Sequence, residues 1–131
     1  MPTLFPDVKE ALGRLQGKYR LAVLSNGDLR SLDSAVSGLG IPVETAISAE
    51  QAGYYKPHPQ VYLHGVRELE LSGEQGLHMA AHAWDVRGAR QAGMAGAYVN
   101  RKSLPYLDAR GSEPELEISG LSGLADELLA E

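Results

Sequence analysis

The sequence predicts an α/β domain in three layers, a mostly parallel sheet with helices on both faces. Three observations lead there. Apolar runs of strand length alternate with amphipathic stretches of helical spacing along the chain. The length of 131 residues and an apolar content of 44% suit one domain with a real core, so residues 1–131 read as a single domain. Polar clusters follow three of the apolar runs, at the carboxyl ends of strands, where parallel α/β folds keep their working residues.

Taken in order, residues 7–17 place Val8, Leu12 and Leu15 at helical spacing, with Pro6 and Asp7 to start the helix and Gly17 to stop it. R-L-A-V-L, 20–24, is a strand closed by S-N-G-D. Residues 29–38 form a helix with Leu32, Val36 and Leu39 on one face. I-P-V-E-T-A-I-S, 41–48, reads as a second strand. K-P-H-P then opens a helix through residue 70 that carries Val61, Tyr62, Val66 and Leu69, its approach stiffened by Pro57 and Pro59. L-H-M-A-A, 77–81, is a third strand, D-V-R-G-A-R-Q-A-G a helix ended by Gly93, and A-G-A-Y-V, 95–99, a fourth strand. A polar stretch over 100–120 leads to a last amphipathic helix.

Composition narrows the function classes. A net charge of −5 without a basic cluster gives no reason to expect nucleic acid. The absence of cysteine removes disulfides, thiolate metal sites and a cysteine nucleophile together. The first residues do not read as a signal peptide, and no window approaches the ~18 apolar residues of a membrane span. The expectation is a soluble, cytoplasmic protein with no membrane partner.

Each polar cluster has a functional and a plainer reading. In S-N-G-D, Ser25 and Asn26 beside a helix start suit an anion, or they form a helix cap with a turn at Gly27. In Y-Y-K-P-H-P, Lys56 either fixes the charge of nearby carboxylates or is a solvated surface group, and His58 reads as exposed. In A-A-H-A-W-D, Asp85 either caps the next helix or pairs with Lys56. His82 suits proton transfer near neutral pH or is structural. Trp84 is core packing or an apolar pocket wall.

The succession L-A-V-L-S-N-G, Y-Y-K-P-H-P-Q-V-Y and A-A-H-A-W-D-V-R-G-A-R-Q-A-G-M-A-G-A-Y-V-N-R resembles the haloacid dehalogenase superfamily, and more narrowly its type II L-2-haloacid dehalogenases, from Phe5 to Arg101. The resemblance implies a Rossmann-like fold. It also implies hydrolytic removal of halide from a short 2-haloacid, a small-molecule substrate, through an aspartyl ester and without a cofactor. By resemblance Ser25 and Asn26 hold the substrate carboxylate, Lys56 steadies the nucleophile and Asp85 pairs with the lysine. Tyr62 matches the tyrosine six residues beyond that lysine, and Trp84 lines the apolar side of the pocket. Many members carry serine and asparagine where this chain has Ala80 and His82; in those with histidine, His82 would help activate the hydrolytic water. No acid follows Asp85 through Arg90, which disfavours a metal-dependent phosphatase and leaves no metal site expected.

One departure is larger. The D-x-x-G-T pattern that carries the family's nucleophile occurs nowhere in the 131 residues. The expectation is therefore a core incomplete at its N-terminus, lacking the nucleophile strand and the cap, and inactive by itself. A catalytically dead binding or assembly module is the alternative. The missing strand would leave a gap between 20–24 and 77–81, to be closed by direct pairing of those strands or by a second copy in a homodimer.

Overall fold

The computed structural model describes residues 6–40, 43–101 and 113–130. They fall into two compact units, Met1–Gln51 with Gly120–Glu131, and Ala52–Ser119. Ile41, Pro42, the stretch 102–112, Phe5 and the side chain of Leu39 lie outside the described residues.

In the first unit, α1 (Pro6–Leu15) packs against α6 (Leu121–Leu128) through Ala11, Leu12, Leu15, Leu124 and Ala125, all buried. Asp7 sits in the first turn of α1, yet its Oδ2 accepts from the Leu121 N–H at 2.6 Å and so satisfies a free amide at the start of α6. Arg14 closes the same helix pair on Asp126 at 2.8 Å. Strand β1 (Ala22–Ser25) runs parallel to β2 (Thr45–Ser48) in the register Ala22↔Thr45 to Ser25↔Ser48. The crossover that parallel pairing requires is α2 (Leu29–Leu39). A single turn, α3 (Ala49–Ala52), follows β2.

The second unit holds α4 (Pro59–Glu68), β3 (Leu77–Ala80), α5 (Ala83–Gln91), β4 (Ala95–Val99) and β5 (Leu116–Ile118). Its strands are parallel in the order β3-β4-β5. The core is Val61, Tyr62, Val66, Val86, Ala89, Ala97, Tyr98, Val99 and Ile118.

The alternation of strands and helices and the parallel pairing are as the sequence predicts, and three details differ. A fifth strand, β5, lies within the stretch read as polar loop. Only three residues long, it is held from outside itself: Glu115 accepts from the Gly96 N–H at 2.6 Å and pairs with Arg90 of α5 at 2.7 Å. Helix α5 begins at Ala83 rather than Asp85, which carries Asp85 into its first turn. The strands at 20–24 and 77–81 do not pair directly among the described residues; β1 joins β2 and β3 joins β4 in separate sheets. Each of these strands takes the partner that follows it across one helix, a pairing of small loop-closure cost.

Gly96 shows how tightly α5 lies on β4. A Cβ there would stand 2.8 Å from Val86 Cγ1 and 3.3 Å from Arg90 Cγ. Gly96→Ala is therefore expected to destabilise the protein by about 1–3 kcal/mol through overpacking, read as a lower urea midpoint with an unchanged slope.

Candidate active site

The second unit is organised around one buried carboxylate. Asp85 is 6% exposed and sits in the first turn of α5, where the helix dipole favours negative charge. Lys56, on the loop before α4, donates from Nζ to Asp85 Oδ2 at 2.7 Å. Tyr62, fully buried on α4, donates to Oδ1 at 2.7 Å and lies 3.1 Å from the Asp85 carbonyl oxygen. His78, on β3, places Nε2 at 2.9 Å from the same Oδ1. Three elements thus converge on a side chain supplied by a fourth.

The sequence assembles this cluster by small residues as well as polar ones. A Cβ on Gly88 would lie 2.6 Å from the Tyr62 hydroxyl and 2.8 Å from Pro57 Cβ. Glycine at that position lets Tyr62 and the proline next to Lys56 reach the face of α5. The Lys56–Pro57 peptide is cis.

The charges inside the cluster are fixed by their neighbours. Burial works to raise the Asp85 pKa, but the hydrogen bond and charge of His78, then those of Lys56, outweigh it and hold the carboxyl well below its ordinary range. Burial, the hydrogen bond to Asp85 and the negative charge of Asp85 push the Tyr62 hydroxyl far above its usual value, against a weaker opposing pull from Arg87. Asp85 is an anion that only accepts, and Tyr62 is a neutral donor.

Of the residues singled out from sequence, Lys56, Tyr62 and Asp85 come together. Asp85 pairs with Lys56 and does not cap α5. His82 is exposed at the N-cap position of α5, makes no side-chain capping bond, and tilts against Trp84 with ring centroids 5.9 Å apart. Trp84 is 40% exposed, which excludes the core-packing reading because a core tryptophan would be covered. His58 is exposed, as expected; its Nδ1 accepts from the Gln60 N–H at 3.1 Å and its ring stacks on Tyr54 at 4.0 Å. His78 is the residue that sequence reasoning missed. The signal was a titratable ring inside an apolar strand, which needs a partner if it is to be buried.

Ser25 and Asn26 lie in the first unit, at the end of β1. The cap of α2 is Asp28, whose Oδ1 accepts from the Ser31 N–H at 2.9 Å; that amide, then the Ser31 hydroxyl, lowers the Asp28 pKa. Ser25 Oγ accepts from the Gly27 N–H at 3.0 Å, which leaves its own proton to donate elsewhere. The turn is pinned from β2 by Ser48, fully buried, whose hydroxyl donates to the Gly27 carbonyl at 2.5 Å. Among the described residues no group of three or more His, Asp or Glu is placed to hold a metal ion, and no helix is long and apolar enough to cross a membrane.

The model of the haloacid dehalogenase-like hydrolase family matches residues 1–93. The chain is 34% identical, over 117 residues, to haloacetate dehalogenase H-2 of Moraxella sp. strain B, covering 87% of this chain and 52% of that one. It is 35% identical, over 123 residues, to (S)-2-haloacid dehalogenase 2 of Pseudomonas sp. strain CBS-3, covering 92% and 53%. The solved 2-haloacid dehalogenase of Pseudomonas syringae pv. Tomato DC3000 superposes with a TM-score of 0.83 at 31% identity, over 98% of this chain and 54% of that one. The chain thus spans about half the length of the relatives it matches.

Removing the central charge tests the cluster. Asp85→Asn removes the carboxylate that Lys56, Tyr62 and His78 meet and is expected to cost about 3–5 kcal/mol at pH 7. Because the folded-state pKa of Asp85 is depressed, its contribution is fully present above the unfolded-state value of about 3.9 and is lost as pH falls toward the folded value. The stability gap between wild type and variant should therefore be widest near neutrality and close below about pH 4, as read from urea unfolding across pH.

Proposed function

The chain belongs to the haloacid dehalogenase-like hydrolase family, and we propose that its site serves the hydrolytic dehalogenation of short 2-haloacids. The observation that carries the reading is the lysine held on a buried aspartate whose carboxyl is kept ionised well below its ordinary range. Lys56 Nζ donates to Asp85 Oδ2 at 2.7 Å, and a cation fixed in this way is what a site needs when its nucleophile is itself a carboxylate.

In this reaction a carboxylate attacks C2 of the haloacid. The C–halogen bond breaks, halide leaves with its electron pair, and an ester forms. Water then cleaves the ester at the enzyme's carboxyl carbon, giving the 2-hydroxy acid and a proton and regenerating the nucleophile. Lys56 stabilises that nucleophile, and Asp85 anchors Lys56. Ser25 and Asn26 donate to the substrate carboxylate, His82 accepts a proton from the hydrolytic water, and Trp84 covers the apolar side of the substrate. Tyr62 acts through Asp85.

The D-x-x-G-T pattern is absent from the 131 residues, so this chain assayed by itself is expected to release no halide from chloroacetate or 2-chloropropionate. A chimera that places the N-terminal half of the Pseudomonas sp. strain CBS-3 relative ahead of residue 1 is expected to release chloride. Lys56→Met in that chimera should lower the rate by roughly 100- to 1,000-fold, the effect of losing one electrostatic donor. Halide release by the chain alone would contradict the inactivity. A folded chimera with no release would contradict the dehalogenase reading and favour a binding module without catalysis.

A further inference from the structure

We propose that His78 is a positioning residue of this site: by donating to Asp85 Oδ1 alongside Tyr62, it confines Lys56 to Oδ2 and keeps Asp85 an anchor, not a base or nucleophile. The proposal rests on the reading that Lys56 serves a carboxylate nucleophile, and it assigns His78 a role that neither the motifs nor the match to relatives provides.

The geometry divides the carboxylate cleanly. Oδ1 receives Tyr62 at 2.7 Å and His78 at 2.9 Å, while Oδ2 receives Lys56 at 2.7 Å. With two donors already on Oδ1, Lys56 gains nothing by shifting to it and stays on Oδ2. The His78 ring is fixed twice, by this bond and by its edge-on packing against Tyr62, with centroids 5.3 Å apart and planes at 80°. Its side chain is only 11% exposed, so water competes little for Nε2.

An ionised carboxylate cannot donate, so Nε2 must carry the proton. In a neutral ring that sets the tautomer: Nε2–H faces Asp85 and Nδ1 is the acceptor. Losing the His78 donor would free a lone pair on Oδ1, let Lys56 drift between the oxygens and make Asp85 easier to protonate. The charged and titratable groups that bear on this balance are Lys56 from the loop before α4, Tyr62 from α4, His78 from β3 and, acting on Tyr62, Arg87 from α5.

The experiment uses the 131-residue chain and needs no turnover. Carboxyl carbons of labelled aspartate are followed by NMR through an acid titration, with Asp85 assigned by its loss in Asp85→Asn. In wild type Asp85 should stay ionised below the other aspartates. His78→Phe keeps a packed ring without a donor and should move the Asp85 midpoint up by about 1–2 pH units, as expected for losing one hydrogen bond to a charged group. His78→Gln restores an N–H and should return it toward wild type. An unmoved midpoint in His78→Phe, or equal movement in both variants, would overturn the proposal. Wild-type ring nitrogen shifts give a reading that no folding defect can obscure: protonated Nε2 supports the proposal, and a neutral ring protonated at Nδ1 overturns it. Chloride release by the chimera decides the dehalogenase reading separately, so either can fail alone.

Discussion

The ionised Asp85 is the constraint on which the second unit depends. A carboxylate removed from water is tolerable only where donors replace its hydration, and here each donor comes from a different part of the chain. Lys56 fixes the loop before α4, Tyr62 fixes α4 and His78 fixes β3, so satisfying one charge also sets where three elements meet α5. The glycine at position 88 belongs to the same constraint, because a larger side chain there would hold Tyr62 and the proline next to Lys56 away from α5. Structure and chemistry coincide in this cluster: the arrangement that makes Asp85 affordable also holds an ammonium group in a defined direction.

Much of this was legible in the sequence, for identifiable reasons. Alternating strand and helix patterns are strong local signals, and an acid and a lysine beyond successive strands of a parallel fold suggest a pair, which Lys56 and Asp85 form. Tyr62 was visible twice, as a core position of its helix and as part of the K-P-x-P-x-x-Y pattern. What local patterns could not supply was the phase of the turn after β3. Because α5 begins at Ala83, Asp85 rotates inward and His82 stays outside at the N-cap; a start two residues later would have suggested the reverse emphasis. His78 was hidden for a related reason. It reads as one residue of an apolar strand, and its partner lies seven positions on, brought back only by the strand-to-helix turn. Strand β5 escaped notice because three residues carry too little periodicity, and its hold on the sheet comes from Glu115 and Arg90 outside it.

Family membership and the site's chemistry bear on different questions. Membership follows from the match over residues 1–93 and from identity of about one third to relatives of which the chain spans about half. It brings a fold and a class of hydrolytic chemistry. The site adds what this chain's own residues can do, which is to present a cation beside a carboxylate that is held ionised and out of reach of chemistry. The first unit holds a turn in which the Ser25 hydroxyl accepts from the Gly27 N–H and the Ser48 hydroxyl donates to the Gly27 carbonyl.

The central claim is that Lys56 and Asp85 act as one unit, and a double-mutant cycle tests it most directly. Urea stabilities of wild type, Lys56→Met, Asp85→Asn and the double variant give the coupling between the two side chains without reference to turnover. The account predicts a coupling of about 1.5–3 kcal/mol, because either single change already breaks the Lys56–Asp85 pair and the second then has no pair left to break. Additive effects, within about 0.5 kcal/mol, would contradict it and leave Lys56 a surface group with no role in holding Asp85.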